Sequence, residues 1–105
     1  MATFYSQSTK NVSDVDTTIY TSQSDSTIIL SILVANTTTN AADITCSILD
    51  SSDALKSKIS SNITVPASSN IDLIGNKLIF SSGNKLQISS STSGTVDLTL
   101  SFVEV

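Results

Sequence analysis

The tetrapeptide Gly-Asn-Lys-Leu occurs twice, at Gly75–Leu78 and Gly83–Leu86, eight residues apart, and apolar residues follow each copy. Gly and Asn both tolerate φ > 0 at little cost, so the pair is turn chemistry. Two such turns a strand-length apart predict a meander of short antiparallel strands at 70–74, 78–80 and 86–89. A chain punctuated this way has little room for helices.

The remainder follows the same grammar. Thr17 to Ser22 is rich in β-formers, and Gln23 to Ser26 reads as a turn. Thr27 to Asn36 is the clearest central strand. Strict alternation puts Ile28, Leu30, Ile32 and Val34 on one face, and Ile29, Leu33 and Ala35 on the other. Apolar residues on both faces imply core on one side and core or a partner on the other. Asp43 to Asp50 alternates, with Ile44, Cys46 and Ile48 inward. Lys56 to Val65 continues as strand until Pro66 breaks it. Thr95 to Val105 places Val96, Leu98, Leu100 and Phe102 on one face. Residues 1–16 are polar and loosely patterned and read as an N-terminal arm or edge strand ahead of a domain at 17–105. No segment carries a 3.6-residue apolar stripe over three turns. The expected fold is all-β, an antiparallel β-sandwich of Greek-key or jelly-roll type.

Length and charge narrow the classes of function. A chain of 105 residues is one domain. Its core is thin, with Phe4, Phe80 and Phe102 as the large pieces beside Val, Ile and Leu, so self-association is a natural route to stability. Ser and Thr make up roughly a third of the residues, far above ordinary usage. The cations are Lys10, Lys56, Lys58, Lys77 and Lys85, without Arg or His, and the formal net charge is −4. That balance argues against nucleic acid and against an anionic membrane as partners. No apolar run approaches the ~18 residues of a membrane-spanning helix. A basic, apolar leader is not seen after Met1, so synthesis in a cytoplasm is expected.

No residue set points to catalysis. Without histidine, Ser-His-Asp triads and His-based metal sites have no members. Cys46 sits inward on an alternating strand with no base beside it and reads as a small buried hydrophobe. Asp14 with Asp16, and Asp50 with Asp53, lack the spacing of a calcium loop and read as turn caps. Three Asn-X-Ser/Thr sequons, at Asn11, Asn36 and Asn62, are expected by chance in so hydroxyl-rich a chain. Tyr5 and Tyr20 are candidates for a sugar-stacking platform, although tryptophan is absent. No catalytic, cofactor or metal residue is therefore assigned. Phe4, Tyr5, Tyr20, Ile29 and Leu33 are the candidate partner-binding residues, since aromatic and large apolar side chains anchor interfaces.

Several segments in order carry a family likeness. They are Thr18-Ile19-Tyr20-Thr21, Leu33-Val34-Ala35-Asn36-Thr37-Thr38, Ile48-Leu49-Asp50-Ser51-Ser52 and Ile63-Thr64-Val65-Pro66-Ala67-Ser68-Ser69. Leu73-Ile74-Gly75-Asn76-Lys77-Leu78, Leu86-Gln87-Ile88-Ser89-Ser90 and Val96-Asp97-Leu98-Thr99-Leu100-Ser101 complete it. The pattern resembles a family of roughly hundred-residue virion structural proteins of marine and cyanobacterial tailed bacteriophages, over residues 17–105. It departs at Ser24-Asp25-Ser26, where a Pro/Gly-type turn is expected. The resemblance implies a non-enzymatic particle component displayed on a capsid or tail. The expectation is a decoration (cement) protein on the outer shell, a homo-oligomer partnered by the major capsid protein or other virion proteins. The alternatives are a tail or fibre component contacting the host surface, or a carbohydrate-binding module.

Overall fold

The computed structural model describes residues 2–105, and among them there is no helix. Nine strands follow one another: β1 (Thr3–Thr9), β2 (Thr17–Thr21), β3 (Ser26–Asn36), β4 (Ala42–Leu49), β5 (Leu55–Val65), β6 (Asn70–Asp72), β7 (Leu78–Ser81), β8 (Lys85–Ser90) and β9 (Val96–Glu104). They form two antiparallel sheets packed as a sandwich. One runs β1-β9-β3, with β6 and β7 both paired to β3; the other runs β2-β8-β4-β5.

Alternation drives this arrangement. Val96, Leu98, Leu100 and Phe102 of β9 are buried, and they face Ile44, Cys46, Leu86 and Ile88 of the opposite sheet in one core cluster that also holds Phe80. Each such side chain contributes about 1.5–3 kcal/mol by leaving water. The edge strands differ from the core strands. β5 is exposed along most of its length, and its pairing with β4 shifts register at three places. Bulges and the charges of Lys56 and Lys58 are devices that discourage edge-to-edge pairing.

Three expectations change. The segments at 70–74, 78–80 and 86–89 do not form a meander. β6 and β7 lie in series along β3, opposite Leu33–Ala35 and Ser26–Ile29, and β8 crosses to the other sheet to pair with β4 and β2. The two Gly-Asn pairs also differ: Gly83 has φ +86, whereas Gly75 is outside the left-handed region. Finally, the two faces of β3 exchange midway. Its pairing with β9 slips between Ile29 and Ser31, and the extra residue, Leu30, reverses the alternation. Ile29, Ile32 and Val34 therefore all point into the core, while Ile28 and Leu33 point out.

β1 is an edge strand of the molecule's own sheet. It pairs with β9 over its full length, from Thr3 opposite Glu104 to Thr9 opposite Leu98. Its sequence is polar because the backbone ladder, rather than an apolar face, holds it. The turn at 23–26 is closed by hydroxyls: Ser24 Oγ donates to the Ser26 carbonyl at 2.7 Å.

Candidate functional site

Consecutive residues of β1 serve opposite faces of the sheet. Tyr5, opposite Phe102, points to the inner side and stacks on it with ring centroids 5.3 Å apart and planes 23° apart. Phe4, opposite Val103, points outward and lies outside the core, unlike Phe80 and Phe102, because its place in the register of β1 puts it on the outer face. Two distinct surfaces start from this alternation.

The inner one is a cleft of about 450 Å3 where the edge of one sheet, β1, meets the edge of the other, β2. Tyr5, Gln7, Tyr20, Gln23, Phe102 and Glu104 line it, with Thr18 and Thr21. The rings form its apolar part, for Tyr20 also packs on Phe102 at 4.4 Å. A bulge holds the cleft together. The pairing of β2 with β8 slips between Thr18 and Tyr20, which takes Ile19 out of the ladder, and Gln7 Nε2 donates to the Ile19 carbonyl. One side chain thus ties the two sheet edges.

At the base of the cleft the Tyr20 hydroxyl donates to Glu104 Oε2 at 2.9 Å and lies 3.1 Å from Thr27 Oγ1. Burial raises the Tyr20 pKa above the ordinary phenol value; the hydrogen bond with Thr27 lowers it part-way, and Glu104 raises it again. Glu104 is the one carboxylate among the lining residues, and no lysine lines the cleft. Glycoside hydrolysis usually engages two carboxylates. The arrangement suits binding, by an aromatic wall and amide, hydroxyl and carboxylate groups.

The outer surface is a cross-strand row. Phe4 on β1 stands opposite Val103 on β9, Val103 opposite Ile28 on β3, and Ile28 opposite Ile79 on β7. Four large apolar side chains therefore share the outer face of one sheet. Phe4 is 74% and Ile79 65% exposed, while Val103 between them is only 6% exposed.

The candidate residues divide among these places. Tyr5 and Tyr20 meet in the cleft, Phe4 belongs to the row, and Leu33 lies on the same outer face, opposite Thr99 and Asp72. Ile29 does not belong with them: it is fully buried in the core, because the Leu30 bulge turns it inward, so it offers no surface to a partner. Sequence reasoning missed Gln7, Gln23, Phe102 and Glu104 of the cleft, and Ile28, Val103 and Ile79 of the row. Strand register alone unites them, and no local signal reveals it.

The remaining candidates are structural. Cys46 is fully buried, and burial pushes its thiol up to about 12. Asp50 Oδ1 accepts from the Ser52 and Ala54 amides at 2.8 and 3.0 Å, capping the β4–β5 turn. Asn36, the second sequon, is buried, with its amide donating to the Asn40 and Val65 carbonyls. No cluster of three potential metal ligands occurs among the described residues, and no helix there is long and apolar enough to cross a membrane.

No known family description and no curated protein sequence matches this chain. Solved structures do share its fold. The infectious bursal disease virus VP2 subviral particle matches with TM-score 0.55 and 14% identity over 98% of this chain. This chain spans about a third (32%) of that protein's length. The subunit of Bacillus endospore appendages, described as a family of disulfide-linked pili, matches with TM-score 0.59 and 12% identity, covering 100% of this chain and 90% of that one. The nucleoplasmin-like N-terminal domain of Drosophila FKBP39 matches with TM-score 0.51 and 20% identity, covering 100% and 91%. At these identities the likeness establishes a jelly-roll-like β-sandwich.

Proposed function

We propose that this chain is a virion structural protein of a tailed bacteriophage, a decoration protein that binds the outside of the capsid shell in many copies. The observation that carries this reading is the row Phe4–Val103–Ile28–Ile79, an apolar row across four strands on an outer sheet face that also presents Leu33. Its two ends, Phe4 and Ile79, are exposed, and large apolar groups exposed on one face mark protein contact sites. Support also comes from the fold, shared with a particle-forming viral protein and a pilus subunit, and from the sequence resemblance. In this reading the partners are the major capsid protein and further copies of the chain, and the role is non-enzymatic. The tail or fibre location is the second reading, and the aromatic cleft is the observation that favours it.

The test is co-sedimentation of the purified chain with phage shells that lack it. The wild type is expected to saturate the shell. Ile79→Asp and Phe4→Ser, each with an unchanged far-UV CD spectrum, are expected to lose binding. A wild-type protein that stays in the supernatant, or folded variants that bind normally, would overturn this reading.

A further inference from the structure

We propose that the cleft between β1 and β2 is a binding site for a neutral saccharide of one or two sugar residues. Its position, chemistry and charge each point there. The cleft is open at the junction of two sheet edges, and about 450 Å3 falls within the ~300–1,000 Å3 typical of small-molecule sites. Its wall is aromatic. Tyr5 is the edge-strand member of the stack with Phe102, lines the cleft and is 46% exposed, so the stack leaves part of the ring accessible. A sugar ring presents an apolar C–H face, which such a ring accepts, and a rim of hydroxyls, which need donors and acceptors.

The rim groups are of the right kind. Gln23 is exposed, and Gln7 commits one Nε2 N–H to the Ile19 carbonyl, which leaves its second N–H as a donor and its amide oxygen as an acceptor. Thr18 and Thr21 offer hydroxyls, and Glu104 offers the oxygen that Tyr20 does not engage. The only formal charge in the lining is that of Glu104. With no lysine to oppose it, phosphorylated, sulfated and sialylated ligands meet repulsion. The Tyr20–Glu104 and Gln7–Ile19 hydrogen bonds hold the walls before a ligand arrives, which lowers the ordering cost of binding. The site is independent of shell binding, because it lies on the inner side of β1 whereas the apolar row lies on the outer side.

The experiment is a titration of the full chain, 15N-labelled, with glucose, galactose, mannose, N-acetylglucosamine and their disaccharides, followed by amide chemical shifts. At least one neutral sugar is expected to move Tyr5, Gln7, Thr18–Thr21, Gln23 and Glu104 in a saturable way while Leu33 and Ile79 stay still. Tyr5→Ala is expected to weaken binding about tenfold or more, equivalent to about 1.4 kcal/mol. Because that change also removes the stack on Phe102, Gln23→Ala, outside any strand, is the second variant. It is expected to weaken binding without moving the unfolding midpoint, and Phe4→Ala is expected to bind as the wild type does. The proposal is overturned if no neutral sugar shifts these amides, or if they move only with protein concentration, which would make the cleft a self-association surface. Preference for a sialylated or sulfated glycan, or unchanged affinity in both cleft variants, would overturn it equally. Loss of sugar binding leaves co-sedimentation with shells untouched, so the two readings fail separately.

Discussion

Tyr20 and Glu104, 84 residues apart, are joined by a 2.9 Å hydrogen bond from the phenol to Oε2. It links β2 of one sheet to the last residue of β9 in the other. The phenol also meets Thr27 Oγ1, which is buried and lies 2.7 Å from Ser22 Oγ. A polar seam thus closes one end of an apolar core, and it forms the base of the proposed sugar site.

Tyr20→Phe should keep the ring packing and remove the seam's central hydroxyl. Thr27 keeps Ser22 as a partner, and partly exposed Glu104 regains water. The expected loss is therefore modest, about 0.5–1.5 kcal/mol, read from urea unfolding at neutral pH. A loss several times larger would show that Thr27 depends on the phenol.

The alkaline limb of stability should report Cys46 and Tyr20. Both groups hold their protons more tightly in the folded state: Cys46 moves from 9.0 to about 12, and Tyr20 rises above 10.0. For an acid with a raised folded pKa, stability is complete below the unfolded value and is lost as pH climbs through the folded one. The urea midpoint should fall from about pH 9 upward. Cys46→Ala should flatten the first part of that fall, at a cost of about 1–2 kcal/mol at neutral pH from lost packing. Wild-type thiol should stay unreactive towards Ellman's reagent until unfolding. Rapid labelling of the native protein would contradict the burial.

Much of the fold was legible in sequence because burial on one face of a strand imposes a period of two. β4 and β9 read true for that reason, with Ile44 and Cys46, and Val96, Leu98, Leu100 and Phe102, all inward. What was illegible has equally physical causes. The Leu30 bulge reverses β3, yet Leu30 is as apolar as its neighbours, so the reversal leaves no trace in composition. β1 is held by backbone pairing and shows no apolar alternation, which is why arm and edge strand stay open as alternatives in the sequence. Which sheet β8 joins depends on a crossover, and short-range turn chemistry at Gly83 is silent about that. The cleft combines residues from positions 5 to 104, so only register brings them together.

The two Gly-Asn turns should respond differently to the same substitution. Gly83 has φ +86, and a Cβ there would lie 2.8 Å from Ser51 Cβ. Gly83→Ala therefore combines backbone strain with a contact that forces the β4–β5 turn to shift, and should lose about 1–3 kcal/mol. Gly75→Ala meets nothing within 4 Å and imposes no left-handed backbone, so it should be neutral or slightly stabilising. Equal thermal midpoints for the two variants would refute this distinction.

Asn36 offers the sharpest test of a buried polar contact. Its amide nitrogen donates to the Asn40 carbonyl at 2.7 Å and to the Val65 carbonyl at 3.1 Å, and its oxygen accepts from the Thr38 amide at 3.0 Å and Thr38 hydroxyl at 2.8 Å. Water can replace it at exposed Asn40, but not at fully buried Val65. Asn36→Ala should lose about 1–3 kcal/mol, the usual cost of one unsatisfied buried group. Asn36→Asp should be worse at neutral pH, because it aims an acceptor at two carbonyl oxygens in a buried site. Protonation restores a donor, so the folded-state pKa of the new carboxyl should be raised. Stability then present below the unfolded carboxyl pKa of about 4 is lost as pH rises through the folded value. Urea unfolding between pH 3 and 8 should accordingly show the gap between Asn36→Asp and Asn36→Ala closing as the solution is acidified. A gap independent of pH would mean that the Asp side chain leaves the core and that these carbonyls are satisfied another way.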